Sequence, residues 1–172
     1  MDFYDIASET CTFDGSLVKR LGFQQIFVLN KDVRAVGDGN ASNKEGAIAF
    51  GSDKNKLTAL VKNGAAAVCI TDFFIDRKLI EAIRDERCVL CIPMTAITAS
   101  HGIERSRNIY KMSKLFTYAR KHDVEVCFAS MAKTPMHLNS YMQLIELAKL
   151  IGSDDKYARY SISKITKSIV VR

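Results

Sequence analysis

The sequence predicts an α/β protein built on a mostly parallel sheet. Short apolar runs rich in Val, Ile, Phe and Cys alternate along the chain with segments of helical periodicity. The connections between them are short, and a strand–helix–strand order of this kind requires crossovers, which make neighbouring strands parallel. The 172 residues, 48% hydrophobic and 26% charged, have the length and balance of a single domain spanning 1–172. The six strands expected below fit an open doubly wound sheet or a reduced barrel, since a complete eight-unit barrel usually takes about 200 to 250 residues.

Residues 3–6 read as the first strand. Asp14, Gly15 and Ser16 start a helix that runs to Leu21 and stops at Gly22. Residues 25–29 form the second strand. The stretch 31–43 is rich in turn formers, with Gly37, Asp38, Gly39 and Asn40 at its centre. Residues 47–50 make a weak strand, a helix follows over 53–62, Gly64 ends it, and 66–70 is the next strand. The helix over 76–86 takes its apolar face from Leu79, Ile80 and Ile83. Residues 88–92 form a strand that Pro93 closes. The longest helix covers 104–121, and the strand 124–129 follows a turn at His122 and Asp123. A helix over 139–151 is closed by Gly152, and 157–160 and 162–170 are expected as short helices.

No apolar run approaches the roughly 18 residues of a membrane span, so no membrane partner is expected. The opening Met1, Asp2, Phe3, Tyr4, Asp5 is acidic where a secretory signal is basic, which leads to the expectation of a cytoplasmic protein. Five cysteines without regular spacing point to reduced thiols in a packed core rather than a disulfide framework.

The formal net charge of +6 is unevenly placed: residues 1–100 carry 12 Lys/Arg against 13 Asp/Glu, and residues 101–172 carry 13 against 6. Such asymmetry points to a surface that faces a polyanion. Within the helix 104–121, Ile109, Met112, Phe116 and Ala119 share one face. Arg107, Lys111, Lys114 and Lys121 fall on the opposite face, with Tyr118 beside them. After Glu104 no acid occurs until Asp123, so these cations lack the i, i+4 carboxylates that usually lace a solvated helix. The stripe is either a solvated face or a phosphate-contacting one, and a same-sign stripe gains most when it meets phosphates.

Ser100, His101 and Gly102 precede that helix, at a strand exit of the kind where α/β proteins bind ligands. His101 is a candidate phosphate contact or acid/base, or a loop histidine without a role. Of the three histidines His101, His122 and His137, none forms a His-x-His or His-Glu-x-x-His pattern. Cys88 and Cys91 form a lone Cys-x-x-Cys in a strand, where residues three apart face opposite sides. Cys69, Cys91 and Cys127, in three successive strands, read as small core residues. Glycine-rich phosphate loops and the Gly-x-Ser-x-Gly elbow are missing. Asp2 and Asp5 on the first strand read as capping or pairing residues rather than cation ligands. No metal or other cofactor is expected.

One set of residues carries a family resemblance. Ile92-Pro93-Met94-Thr95 comes first, then Glu104-Arg105-Ser106-Arg107 opening the long helix. Ala119-Arg120-Lys121-His122-Asp123-Val124 and Phe128-Ala129-Ser130 follow. The run Leu144-Ile145-Glu146-Leu147-Ala148-Lys149-Leu150-Ile151-Gly152 and the tail around Ser161 complete the series. Their order and spacing resemble protein component 3 of archaeal ribonuclease P, related to the thirty-kilodalton subunit of the eukaryotic enzyme. The match spans 64–172, with weaker agreement at Tyr4-Asp5-Ile6 and Leu21-Gly22-Phe23. The sequence departs from the family pattern at Arg77, where a histidine is common, and at 139–144, where an arginine is absent.

The resemblance implies a reduced or distorted TIM-like barrel of alternating parallel strands and helices, related to metal-dependent hydrolases but without their metal site. It also implies an RNA-binding subunit that assists the RNA-catalysed removal of 5′ leaders from precursor tRNA. The isolated chain is not expected to be catalytic. The implied partners are ribonuclease P RNA, precursor tRNA, the small ferredoxin-like protein component 2 and other protein subunits. The residues expected to contact RNA are His101, Arg105, Arg107, Lys111, Lys114 and Lys121, with Lys133 as a loop cation. The rival expectation is a free-standing small barrel enzyme acting on a phosphorylated or anionic metabolite, with His101 and Asp72 at strand exits as its catalytic residues.

Overall fold

The structure, a computed structural model, describes residues 2–37 and 46–171. The turn centre expected over Gly37, Asp38, Gly39 and Asn40 therefore lies outside the described residues beyond Gly37. The fold is α/β, a distorted TIM-like barrel of parallel strands with helices packed outside it.

Strand β1 (Tyr4–Ala7) pairs in parallel with β2 (Gln25–Val28) across helix α1 (Gly15–Arg20). A second parallel sheet runs in sequence order through β3 (Ala35–Val36), β4 (Ile48–Gly51), β5 (Ala67–Ile70), β6 (Val89–Pro93) and β7 (Val126–Ala129). Helix α2 (Lys54–Lys62) joins β4 to β5, and α3 (Arg77–Asp85) joins β5 to β6. The short α4 (Thr95–Thr98) and the long α5 (Gly102–Lys121) join β6 to β7. Beyond β7 come α6 (Tyr141–Leu150), α7 (Asp155–Tyr160), a π-helical turn (Ser161–Ile165) and α8 (Thr166–Val171). The expected six strands become seven among the described residues, because β3 falls in the stretch read as turns. Two residues are too few to show a strand's alternation. The short α4, next to the Pro93 exit, was likewise outside the expected elements.

Backbone contacts continue the barrel across the two gaps between the sheets. On one side, Leu29 bridges Val33 in parallel, and the Ala35 N–H donates to the Asn30 side-chain oxygen at 2.9 Å. On the other, the Met131 N–H donates to the Ile6 carbonyl at 2.8 Å, and the Ser8 N–H to the Ala132 carbonyl at 2.9 Å.

Lower down that second gap, side chains replace a strand. The Val126 N–H donates to the Tyr157 hydroxyl at 2.8 Å, the Phe128 N–H to Ser161 Oγ at 3.0 Å, and the Ser130 N–H to Asp5 Oδ1 at 2.7 Å. Every second N–H along the free edge of β7 thus finds a side-chain acceptor, which buried backbone requires. The π turn holds Ser161 against β7 while Ile165 and Ile169 enter the barrel's interior cluster. The C-terminal helices occupy the place of an eighth strand.

Alternation along the strands sorts the core into two parts. Tyr4, Ile6, Cys69, Val89, Cys91 and Cys127 belong to the interior cluster, while Val68, Leu90, Ile92 and Phe128 pack outward under the helices. Small side chains such as Ala67, Cys69, Cys127 and Ala129 fill a narrow interior. Cys88 lies in the outer cluster and Cys91 in the inner one, as strand geometry requires of residues three apart.

Candidate nucleic-acid interface

Helix α5 spans the outside of the barrel. It starts one turn after α4, and the elbow is held by the Asn108 side-chain amide, which donates to the Ala96 carbonyl at 2.9 Å. Ser100 Oγ donates to the same carbonyl at 2.7 Å. Met112, Leu115, Phe116 and Ala119 are buried, and the Phe116 ring lies 5.5 Å from that of Phe128 on β7. Glu104 in the first turn and Arg120 and Lys121 in the last turn suit the helix dipole.

Arg107, Lys111, Lys114 and Lys121 are exposed. The ion pairs among the described residues are Lys54–Asp76, Arg77–Glu81, Arg84–Asp85, Lys149–Glu146 and Arg159–Asp155, and none of them involves α5. The cationic stripe therefore makes no ion pair among the described residues. Lys114 Nζ sits 5.5 Å from the centroid of the exposed Tyr110 ring. Tyr118, the aromatic the sequence placed beside the stripe, is half-buried, its ring 4.5 Å from that of His122. Tyr110 is thus the open aromatic on this helix. Its i, i+4 spacing to Lys114 was the signal available in the sequence.

Two depressions open at the C-terminal end of the strands. The first, about 390 Å³, has Asp72, Glu104, Asn108 and Lys111 on its walls. The second, about 330 Å³, has Glu9, Asn30, Phe50 and Lys133 around it and Cys69 at its base. Thr71 and Thr95 belong to both, so the two are continuous. Their mouth is where barrels of this type carry their sites. The structure brings Lys111 and Lys133 to this shared face. His101 stands exposed at the N-cap of α5 and lines neither depression, whereas Asp72 lines the first. Arg105 points to the other side of α5, into a groove against α6.

The titratable groups in the barrel wall are buried. Burial pushes the Asp5 carboxyl up to about 6, against hydrogen bonds from Ser130 and Ile6 that favour its ionised form. Asp5 Oδ2 has no partner among the described residues, and Asp5 serves to link β1 to the chain leaving β7. Burial pushes the Cys69 thiol up to about 12. The Cys91 thiol is raised well above its ordinary value by its hydrogen bond with Cys127 and by burial. These sulfurs stay protonated and act as small packing groups. Among the described residues, no group of three or more His, Cys, Asp or Glu is placed to hold a metal ion.

The fold has known counterparts. A chain in the cryo-EM structure of archaeal ribonuclease P with mature tRNA superposes with a TM-score of 0.69 at 13% identity, over 98% of this chain and 81% of that one. Ochratoxinase from A. niger gives a TM-score of 0.60 at 10% identity, over 98% of this chain and 54% of the enzyme. A Xaa-Pro dipeptidase with methionine bound in its active site gives 0.58 at 13% identity, over 73% of this chain. This chain spans about a third of the dipeptidase and about half of the ochratoxinase, 34% and 54% of their lengths. Near-complete overlap in both directions is thus a feature of the ribonuclease P chain among these three. No family model matches the sequence, and no curated protein matches it. At these identities the likeness establishes the barrel fold.

Proposed function

We propose that this chain is an RNA-binding protein subunit of ribonuclease P, which assists the RNA-catalysed removal of 5′ leaders from precursor tRNA. The observation that carries this reading is the exposed stripe Arg107, Lys111, Lys114 and Lys121, which makes no ion pair among the described residues. A fold shared over 98% of the chain with a component of archaeal ribonuclease P gives the stripe its setting. Phosphate neutralisation is the role that four like charges on one helix face best fit.

In this reading Arg107, Lys111, Lys114 and Lys121 contact the RNA backbone, His101 and Lys133 extend the contact towards the barrel mouth, and Arg105 adds to it from the far side of α5. The exposed Tyr110 ring offers a stacking surface beside Lys114. The RNA subunit carries the chemistry, and protein component 2 and other protein subunits complete the particle.

The experiment is a salt titration of binding to ribonuclease P RNA, together with recovery of that RNA on the tagged chain from native cells. The expected result is a steep fall of log affinity with log salt, by roughly 0.7 to 0.9 units for each phosphate neutralised. Binding that is indifferent to salt, with no RNA recovered, overturns the reading.

A further inference from the structure

The outer face of α5 carries more than charge. Helix geometry places Ile103, Arg107, Tyr110, Lys114 and Lys121 in one narrow arc, opposite the buried Met112, Phe116 and Ala119. All five are exposed, Ile103 at 81% and Tyr110 at 64%. Apolar bodies and cations alternate along the arc: Ile103, then Arg107, then Tyr110, then Lys114, with Lys121 two turns further on. Tyr110 stands three residues from Arg107 and four from Lys114, the spacings at which helical side chains are neighbours. Lys114 Nζ is 5.5 Å from the centroid of the Tyr110 ring. The chain has no acid between Glu104 and Asp123, and no ion pair among the described residues involves α5.

Cations alone suit any polyanion, and the ring and the aliphatic side chain between them narrow the choice. A paired RNA helix keeps its bases stacked inside, and its major groove is deep and narrow. An α-helix roughly 10 to 12 Å across meets such a duplex along phosphates and 2′-hydroxyls. Ile103 and Tyr110 would then face polar backbone and gain nothing. An unpaired strand alternates charged phosphates with open base faces, and an aromatic ring set among cations holds both. The order of side chains along α5 has that same alternation.

We infer that this face of α5 takes an unpaired segment of RNA. One base stacks on the Tyr110 ring, and the phosphates on either side of it meet Arg107 and Lys114. Ile103 packs against the edge of a neighbouring base, and Lys121 holds a phosphate further along the strand. The inference rests on the RNA-binding reading above and narrows it to RNA whose bases are free of pairing partners.

The test compares the full chain's binding of a short unstructured RNA strand with its binding of the same strand annealed to its complement, at one salt concentration. The strand is expected to bind about tenfold or more tightly than the duplex. Tyr110→Leu is expected to weaken binding of the strand by about 5- to 100-fold, the loss of one base–aromatic stack, and to change duplex binding little. Tyr110→Phe keeps the ring and is expected to stay within about twofold. Tyr110→Leu removes no cation, so the salt slope for the strand is expected to hold while the affinity falls. The position is exposed, so melting is expected to be unchanged and serves as the control. A duplex bound as tightly as the strand overturns the inference, and so does a folded Tyr110→Leu chain that binds the strand as the wild type does. Binding of neither short RNA overturns it as well. The titration with ribonuclease P RNA decides the proposed function separately, so that reading can stand where this one fails.

Discussion

Asp5 on β1 accepts the Ser130 N–H at 2.7 Å, a contact between residues 125 apart in sequence that ties the first strand to the exit of the last. The carboxyl is fully buried and its second oxygen is unpartnered among the described residues. Its folded pKa of about 6 lies above the ordinary 3.8, so the folded state binds the proton more tightly than the unfolded state does. The stability this gives is complete below about pH 4 and is lost as pH rises through about 6. A shift of this size corresponds to roughly 3 kcal/mol. Asp5→Asn keeps the acceptor for Ser130 and removes the titration. Denaturant melts of the wild type are expected to weaken between about pH 4 and pH 7, while those of Asp5→Asn change little over that interval. Parallel pH profiles for the two proteins would show that the carboxyl does not control this edge.

The stripe on α5 gives a second prediction. Arg107→Gln, Lys111→Gln and Lys114→Gln together replace three exposed side chains. Such changes usually alter stability by less than about 0.5 kcal/mol each, so the melting temperature is expected to hold. The plot of log affinity for ribonuclease P RNA against log salt is expected to flatten by roughly two to three units. A folded triple variant with unchanged slope would assign the stripe to solvent.

Tyr157 and Ser161 stand in for a missing strand. Tyr157→Phe leaves the Val126 N–H without its acceptor at 2.8 Å, and Ser161→Ala does the same to the Phe128 N–H at 3.0 Å. Each is expected to cost about 1 to 3 kcal/mol, the penalty of an orphaned buried donor. Ser106→Ala on exposed α5 is the control and is expected to stay within about 0.5 kcal/mol. Equilibrium denaturation distinguishes them.

Gly22 combines two constraints. Its φ is +82°, a left-handed conformation, and a Cβ there would run into the Tyr141 ring. That ring is itself stacked on Phe3 at 4.5 Å. Gly22→Ala is expected to destabilise by about 1 to 3 kcal/mol. Adding Tyr141→Ala is expected to recover only the steric part, because the backbone strain remains. A double variant whose loss equals the sum of the two single losses would mean that the ring is not the obstacle.

Much of this protein is local and was legible in the sequence. The alternation of strands and helices, the stop at Gly22, the opposite facing of Cys88 and Cys91, and the α5 stripe all follow from short-range periodicity. The stripe was readable because helix geometry alone fixes which side chains share a face. Tertiary structure decided what lies across from each face. It half-buried Tyr118 against His122 and left Tyr110 open, although both sit on one helix. It set α6 opposite Arg105, which helix geometry already keeps off the stripe. It chose structural pairing over capping for Asp5, as a link across the barrel gap, and it turned the C-terminal helices into a substitute stave through Tyr157 and Ser161. These contacts join residues 31 to 125 positions apart. Periodicity carries no information at that range, because what brings such residues together is barrel closure and the need of each buried N–H for an acceptor.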